Sequence, residues 1–159
     1  MREKEYGIWQ TISWQDMAAM VANMACGLHQ AGLKRGEHMV VVGSNRPRLY
    51  ATMLAAQSLG AIPVPLYQDA AAAECVFPMT NAEVRLCVVE DQEQVDKMLE
   101  VRETYTALER IIFDNPRGLR KYDEPGLGSL DELLASGEAF AKQHPNFYKE
   151  QVALGSKED

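Results

Sequence analysis

The sequence lacks the features that mark secreted, membrane-spanning or nucleic-acid-binding proteins. The first residues are charged with no apolar h-region after them, and no apolar run approaches the roughly 20 residues of a membrane-spanning helix. Only 16 basic residues oppose 23 acidic ones, a net charge of −7, and the basic residues are scattered. A phosphate-binding surface needs a basic patch, so we expect no nucleic-acid partner. Because no signal peptide and no long apolar run are found, we also expect no transmembrane segment and a soluble, cytoplasmic protein.

Cysteine is scarce, and the usual catalytic motifs are missing. The three cysteines Cys26, Cys75 and Cys87 are far apart, which predicts buried thiols in a reducing compartment. The three histidines (His29, His38 and His144) show no ligand-like spacing with Cys, Asp or Glu. The chain has no G-x-G-x-x-G, P-loop or G-x-S-x-G motif, which argues against a dinucleotide fingerprint, a Walker-type phosphate loop and a nucleophile elbow.

Strand-like and helix-like patterns alternate along the chain. Strands are predicted at 39–42, 61–67, 84–90 and 110–113, because each is a short apolar run between turn residues. Helices are predicted between these strands and after Ser129. This alternation predicts an α/β fold with a parallel sheet flanked by helices and joined by right-handed crossovers.

Capping residues and apolar stripes set the predicted helix boundaries. Ser13 with Asp16 and Ser129 with Glu132 read as N-terminal caps with an acidic third residue. Further caps are predicted at Asn45, Asp69 and Asp91. Gly32 and Gly60 are placed to end the first and second helices. The inward stripe of the first helix is predicted to contain Trp14, Met17, Ala18, Val21, Met24, Ala25 and Leu28.

Prolines and glycines predict an edge strand, a helix end and a loop. Pro63 and Pro65 remove two N–H groups from the same side of one strand, which predicts a sheet edge. Pro78 should kink or end its helix within the last turn. Residues 114–128 are predicted to form a loop. From His144 onward no regular element is expected.

Two groups of polar residues follow predicted strands. The segment 43–47 precedes a helix N-terminus, so Arg46 or Arg48 could serve an anion site, with a capped helix and solvated arginines as the preferred alternative. Glu90, Asp91 and Glu93 could form a carboxylate site, but capping of the next helix is preferred.

No set of residues assembles a nucleophile, a base and an oxyanion donor. Glu100, Arg102 and Glu103 read as a solvated helix face. We therefore assign no catalytic, cofactor-binding or metal-binding residue from the sequence.

Several short segments follow one another in a specific order and spacing. They are Ser13-Trp14, Gly32-Leu33-Lys34-Arg35-Gly36-Glu37, Asn45-Arg46-Pro47, Gly60-Ala61-Ile62-Pro63-Val64-Pro65-Leu66-Tyr67, Asn81-Ala82-Glu83-Val84, Val95-Asp96-Lys97-Met98-Leu99 and Asp123-Glu124-Pro125-Gly126. This order resembles the start of an adenylate-forming (AMP-binding) enzyme, in the long-chain fatty acid–CoA ligase branch of that superfamily. The resemblance runs from about Tyr6 to the last residue.

The resemblance implies an enzyme that uses ATP and Mg²⁺ to activate a fatty acid and passes the acyl group to CoA. The family's Thr/Ser/Gly-rich phosphate loop and its C-terminal lysine motif are not found here. We therefore expect an N-terminal fragment, inactive alone and without cofactors of its own. Residues 1–113 would form the α/β part of an AMP-binding N-terminal domain, and 114–159 would lead to the rest of that domain.

In some relatives the regions that correspond to Gln68 and to 90–97 lie near the CoA nucleotide. The match is by region and transfers no residue role. Two other hypotheses remain open: a stand-alone flavodoxin-like or Rossmann-like nucleotide-binding module, and an interaction module or homo-oligomer that pairs through an open sheet edge.

Overall fold

The computed structural model describes residues 1–156, with Glu5 described by its backbone only. The predicted irregular tail extends to Lys157, Glu158 and Asp159, which lie outside the described residues. The strands are β1 Arg2–Glu5, β2 Ile8–Thr11, β3 His38–Val42, β4 Ile62–Leu66, β5 Leu86–Val89, β6 Arg110–Phe113 and β7 Leu127–Ser129. The helices are α1 Trp14–Gln30, α2 Pro47–Ser58, α3 Ala72–Asn81, α4 Gln92–Thr104, α5 Leu130–Gln143 and α6 Phe147–Ala153.

Five strands form one parallel sheet in the order β4-β3-β5-β6-β7. Helices connect β3 to β4, β4 to β5 and β5 to β6, as the alternating pattern predicts. With the five strands numbered along the chain, the order is 2-1-3-4-5, the flavodoxin-like arrangement of doubly wound folds. The predicted α/β class with a parallel sheet flanked by helices is therefore confirmed.

The central strands β3 and β5 are buried on both faces of the sheet, to which successive side chains of a strand point in turn. In β3, Met39 and Val41 belong to a core formed with α1, α2 and α5. Val40 and Val42 belong to a second core formed with α3 and α4. The all-apolar character of this strand follows from this double burial.

Several predicted helix ends are confirmed in atomic detail. Ser13 and Asp16 make a reciprocal capping box on α1, and Asp91 accepts a hydrogen bond from the Gln94 N–H to cap α4. At the end of α1, Gly32 has φ +99° and the Leu33 N–H donates to the Leu28 carbonyl at 3.0 Å. This 6→1 bond defines a Schellman motif, which requires the left-handed conformation that glycine adopts without strain.

Two predicted caps are wrong. The N-cap of α2 is Arg46, and the Asn45 side chain instead accepts a hydrogen bond from the Tyr50 hydroxyl at 3.2 Å. The N-cap of α3 is Ala71, whose N–H donates to the Glu74 carboxylate at 2.9 Å, so Asp69 precedes the helix by three residues. In both cases a downstream feature sets the start: Pro47 at the first turn of α2 and Glu74 in the first turn of α3.

The prediction of the edge strand is confirmed, since β4 lies at one end of the sheet. The Ile62 N–H points toward the β3 side and donates to the Glu37 carbonyl at 2.9 Å. Because the N–H groups of successive residues in a strand point to opposite sides, the backbone nitrogens of positions 63 and 65 face away from β3. The two prolines therefore remove donors from the open side of β4 and none from its bonds to β3.

The remaining differences concern elements with weak sequence patterns. Residues 127–129 of the predicted loop and its border form β7, and residues 147–153 of the predicted irregular tail form α6. The hairpin β1–β2 was not predicted, and none of its described residues has a buried side chain. Trp14 and Ala18 are exposed instead of inward. No helix in residues 1–156 is long and apolar enough to cross a membrane.

Candidate functional site

The topology creates a crevice between the carboxyl ends of β3 and β5. These neighbouring strands are followed by α2 and α4, which pack on opposite faces of the sheet. Doubly wound folds bind ligands at such a switch point, because the two connecting loops diverge there. A shallow depression at this point is lined by Ser44, Arg46, Arg48, Leu49, Thr52, Val88, Val89, Glu90, Asp114 and Leu130.

Glu90, the first residue after β5, lies in this crevice. Its carboxylate accepts a hydrogen bond from the Ser44 backbone N–H at 2.5 Å and another from Arg46 Nε at 2.9 Å. Burial alone would raise the pKa of Glu90, but these hydrogen bonds and the Arg46 charge outweigh it and lower the pKa. Glu90 is therefore held ionised beside the N-terminus of α2.

Gly43 makes room for this carboxylate. A Cβ at position 43 would lie 2.9 Å from Glu90 Cβ and 3.1 Å from its Oε2. A larger residue would push Glu90 away from the Ser44 N–H. The glycine at the end of β3 is thus required by close approach.

Arg48 joins two acidic residues on the other side of the crevice. Its Nε lies 3.0 Å from Asp114 Oδ1, as an ion pair that is not aligned as a hydrogen bond. Its Nη2 donates to Asp131 Oδ1 at 2.7 Å. Burial raises the pKa of Asp114 despite the nearby Arg48 charge. Through these two contacts, Arg48 connects the end of β6 to the start of α5.

A fourth acidic residue, from the N-terminal hairpin, reaches Arg46 at the crevice. Glu3 Oε2 lies 3.4 Å from Arg46 Nη1, so Arg46 bridges Glu3 and Glu90. Sequence reasoning missed Glu3, Asp114 and Asp131 as partners of these arginines. Asp114 could have been found, because it directly follows a predicted strand in the same way as Glu90.

The site therefore differs from either sequence hypothesis in its pure form. Arg46 and Arg48 each pair with carboxylates of this chain, so they are not arranged around an empty anion site, and the Arg46 side chain is still 45% exposed to solvent. Asp91 caps α4 and Glu93 lies exposed in its first turn, so the predicted capping role is confirmed for Asp91. The ion pair between Arg46 and Glu90 holds the loops after β3 and β5 together at the switch point.

The two regions singled out by resemblance meet in space. Lys97 Nζ donates to the backbone carbonyl of Gln68, and also to Gln94 Oε1 at 2.9 Å. This contact joins α4 to the turn after β4. It brings together Gln68 and the 90–97 segment, which the sequence could only name separately.

Other residues considered from the sequence have structural surroundings. His29 and His144 contact the Phe140 ring with centroids 5.5 and 4.4 Å apart. Arg102 is not simply solvated, since it donates to the Pro125 carbonyl at 2.6 Å and to Glu124.

The three cysteines are buried and free, as predicted, and burial raises the pKa of each thiol. Within the described part of the chain, no group of three His, Cys, Asp or Glu side chains is arranged to hold a metal ion.

Solved structures share this doubly wound sheet. A coronafacic acid ligase from Pectobacterium brasiliense matches with a TM-score of 0.70 at 22% identity, covering 79% of this chain and 25% of that one. An adenylation and carrier didomain of a carboxylic acid reductase from Segniliparus rugosus, in complex with AMP, matches with a TM-score of 0.72 at 17% identity. It covers 87% of this chain and 23% of that one.

The model of the AMP-binding enzyme family matches residues 2–153, so this chain belongs to that family. A long-chain fatty acid–CoA ligase of Xenopus laevis is 26% identical over 157 residues, which is 99% of this chain and 20% of the ligase. An uncharacterized protein of Mycobacterium tuberculosis is 31% identical over 103 residues, or 65% of this chain and 57% of that protein. The chain thus spans just over half of one curated relative and about a fifth of the other.

Proposed function

We propose that this chain is the N-terminal part of the AMP-binding domain of a long-chain fatty acid–CoA ligase. The parent enzyme would use ATP and Mg²⁺ to form an acyl-adenylate and then transfer the acyl group to CoA. Residues 1–113 supply the α/β part, and 114–159 lead toward the rest of the same domain. The family match over 2–153 is the observation that carries this proposal.

The switch-point crevice supports the proposal that these residues are inactive alone. Carboxylates of the chain itself engage Arg46 and Arg48, so neither cation is poised over an open phosphate site. Adenylation needs donors aimed at the developing phosphate charge. In this proposal those donors come from the portion of the fold that the relatives have in addition.

An ATP–pyrophosphate exchange assay tests the proposal. The 159-residue chain and a longer product of the same gene are each supplied with ATP, Mg²⁺ and a long-chain fatty acid. We expect exchange by the longer product and none by the short chain. Fatty-acid-dependent exchange by the short chain would contradict the inactivity proposal, and its absence from the longer product would contradict the ligase proposal.

A second candidate is a stand-alone nucleotide-binding module, which the flavodoxin-like strand order favours. Calorimetry of the 159-residue chain against ATP, NAD, FMN and CoA separates the two candidates. Micromolar binding of any of these would favour the module. Absence of binding heat with all four compounds would support the first candidate, an N-terminal part of a ligase that is inactive alone.

A third candidate is a homo-oligomer that pairs through a sheet edge. The outer side of β4 opposes it, because positions 63 and 65 carry no N–H group. The other edge, β7, is three residues long. Sedimentation velocity that shows a monomer across concentrations would reject this candidate.

A further inference from the structure

Both tryptophans of the chain are exposed near its start. Trp9 in β2 is 64% exposed and Trp14 at the start of α1 is 79% exposed. Tryptophan is ordinarily buried over most of its surface, so two exposed copies within six residues need an explanation. Tyr6, at the hairpin turn, is 95% exposed.

The hairpin has two different faces. Lys4 is paired with Trp9 and Arg2 with Thr11 across the two strands. Because side chains alternate, these four residues share one face. Glu3 lies on the opposite face, where its carboxylate reaches Arg46 at 3.4 Å, although Ile8 on that face is 65% exposed. Arg2, Lys4 and Trp9 are all exposed on the other face.

The size of the face with Arg2, Lys4 and Trp9 decides which kind of partner fits it. Two strands of four residues measure about 13 Å by about 10 Å, on the order of 130 Å². A stable protein interface buries about 800 Å² on each partner, far more than the ribbon offers. A lipid surface requires no such complementary area, because one aromatic ring can enter the headgroup layer by itself.

The composition of the face matches an anionic bilayer. Trp and Tyr rings are amphipathic and concentrate at headgroup depth. Basic residues beside them are attracted to anionic lipids. We propose that the hairpin face formed by Arg2, Lys4 and Trp9 binds the surface of an anionic lipid bilayer, with the Trp9 and Tyr6 rings in the headgroup layer. This site is separate from the crevice and does not depend on the ligase proposal.

Vesicle binding by the full chain tests this proposal. Trp14→Phe leaves Trp9 as the only tryptophan, so its emission reports the hairpin. With phosphatidylglycerol vesicles we expect co-sedimentation and a shift of Trp9 emission to shorter wavelength, and much weaker binding to phosphatidylcholine vesicles. Lys4→Gln should weaken binding to phosphatidylglycerol about fivefold, and adding Arg2→Gln should weaken it about fivefold again.

The matched control is Phe77→Ser, which removes another highly exposed ring, 78% exposed on α3, away from the hairpin. It should leave vesicle binding unchanged, whereas Trp9→Ser should lower it strongly. The proposal is overturned if phosphatidylglycerol vesicles leave Trp9 emission unchanged, or if Phe77→Ser weakens binding as much as Trp9→Ser. Self-association that buries Trp9 without vesicles would also overturn it. Should Trp9→Ser fail to fold by circular dichroism, the two charge variants still decide.

Discussion

Glu90 accepts a hydrogen bond from Arg46 Nε at 2.9 Å, which joins the end of β5 to the N-cap residue of α2. The crevice where doubly wound folds place their ligands is therefore occupied by an ion pair of the chain itself. The pair connects loops that lead to opposite faces of the sheet. We therefore expect loss of this ion pair to lower the free energy of unfolding.

Glu90→Gln should lower the free energy of unfolding by about 1–2 kcal/mol at pH 7, because hydrogen bonds to a charged group are lost from a largely buried position. Urea unfolding followed by circular dichroism measures this change. Glu93→Gln is the control, since Glu93 is exposed in the next helical turn. Equal effects of the two substitutions would contradict a special role for Glu90.

The same pair predicts a pH dependence. The pKa of Glu90 is lowered in the folded state, so its stabilisation is full above the unfolded pKa of about 4.3 and is lost as pH falls through the folded value. The difference between wild type and Glu90→Gln should accordingly shrink on acidification below about pH 4. A difference that stayed constant across this range would show that the charge is not responsible.

The sequence predicted the sheet because its strands are buried on both faces and so appear as unbroken apolar runs, as in 39–42. It could not predict β7 or α6, since β7 has only half-buried residues and α6 has no buried residue. Two partners of Arg46 and Arg48 could not be predicted either. Glu3 and Asp131 are 43 and 83 positions away along the chain, and only the folded topology brings them together.

The outward prolines of β4 predict a change in association. Replacing Pro63 and Pro65 together by Val restores two N–H donors on the open edge. At about 1 kcal/mol for each hydrogen bond, self-association should strengthen about tenfold or more, as measured by sedimentation velocity. Pro116→Ala, in a loop, is the control and should not change association. An unchanged double variant would mean that the prolines do not protect this edge.

Ser129 caps α5, whereas Asn45 caps no helix, so substitutions of the two residues should differ in their effect on stability. Ser129 Oγ accepts a hydrogen bond from the Glu132 N–H at 3.1 Å, so Ser129→Ala should cost about 1 kcal/mol. Asn45→Ala should cost less than about 0.5 kcal/mol, because that side chain caps no helix. Chemical denaturation of both variants gives the comparison. Equal losses would restore Asn45 as a cap.

The crossing of α1 and α5 depends on glycine. A Cβ at Gly137 would lie 1.9 Å from the Asn23 carbonyl oxygen and 2.6 Å from the Gly27 nitrogen, both backbone atoms of α1 that cannot rotate away. Gly137→Ala must therefore push the helices apart and should destabilise the fold by about 1–3 kcal/mol. Gly128→Ala is the control, because the nearest atom to its added Cβ, in the flexible Glu132 side chain, is 4.0 Å away. If thermal unfolding showed the two variants to be equally stable, the helices would have to be farther apart than this packing allows.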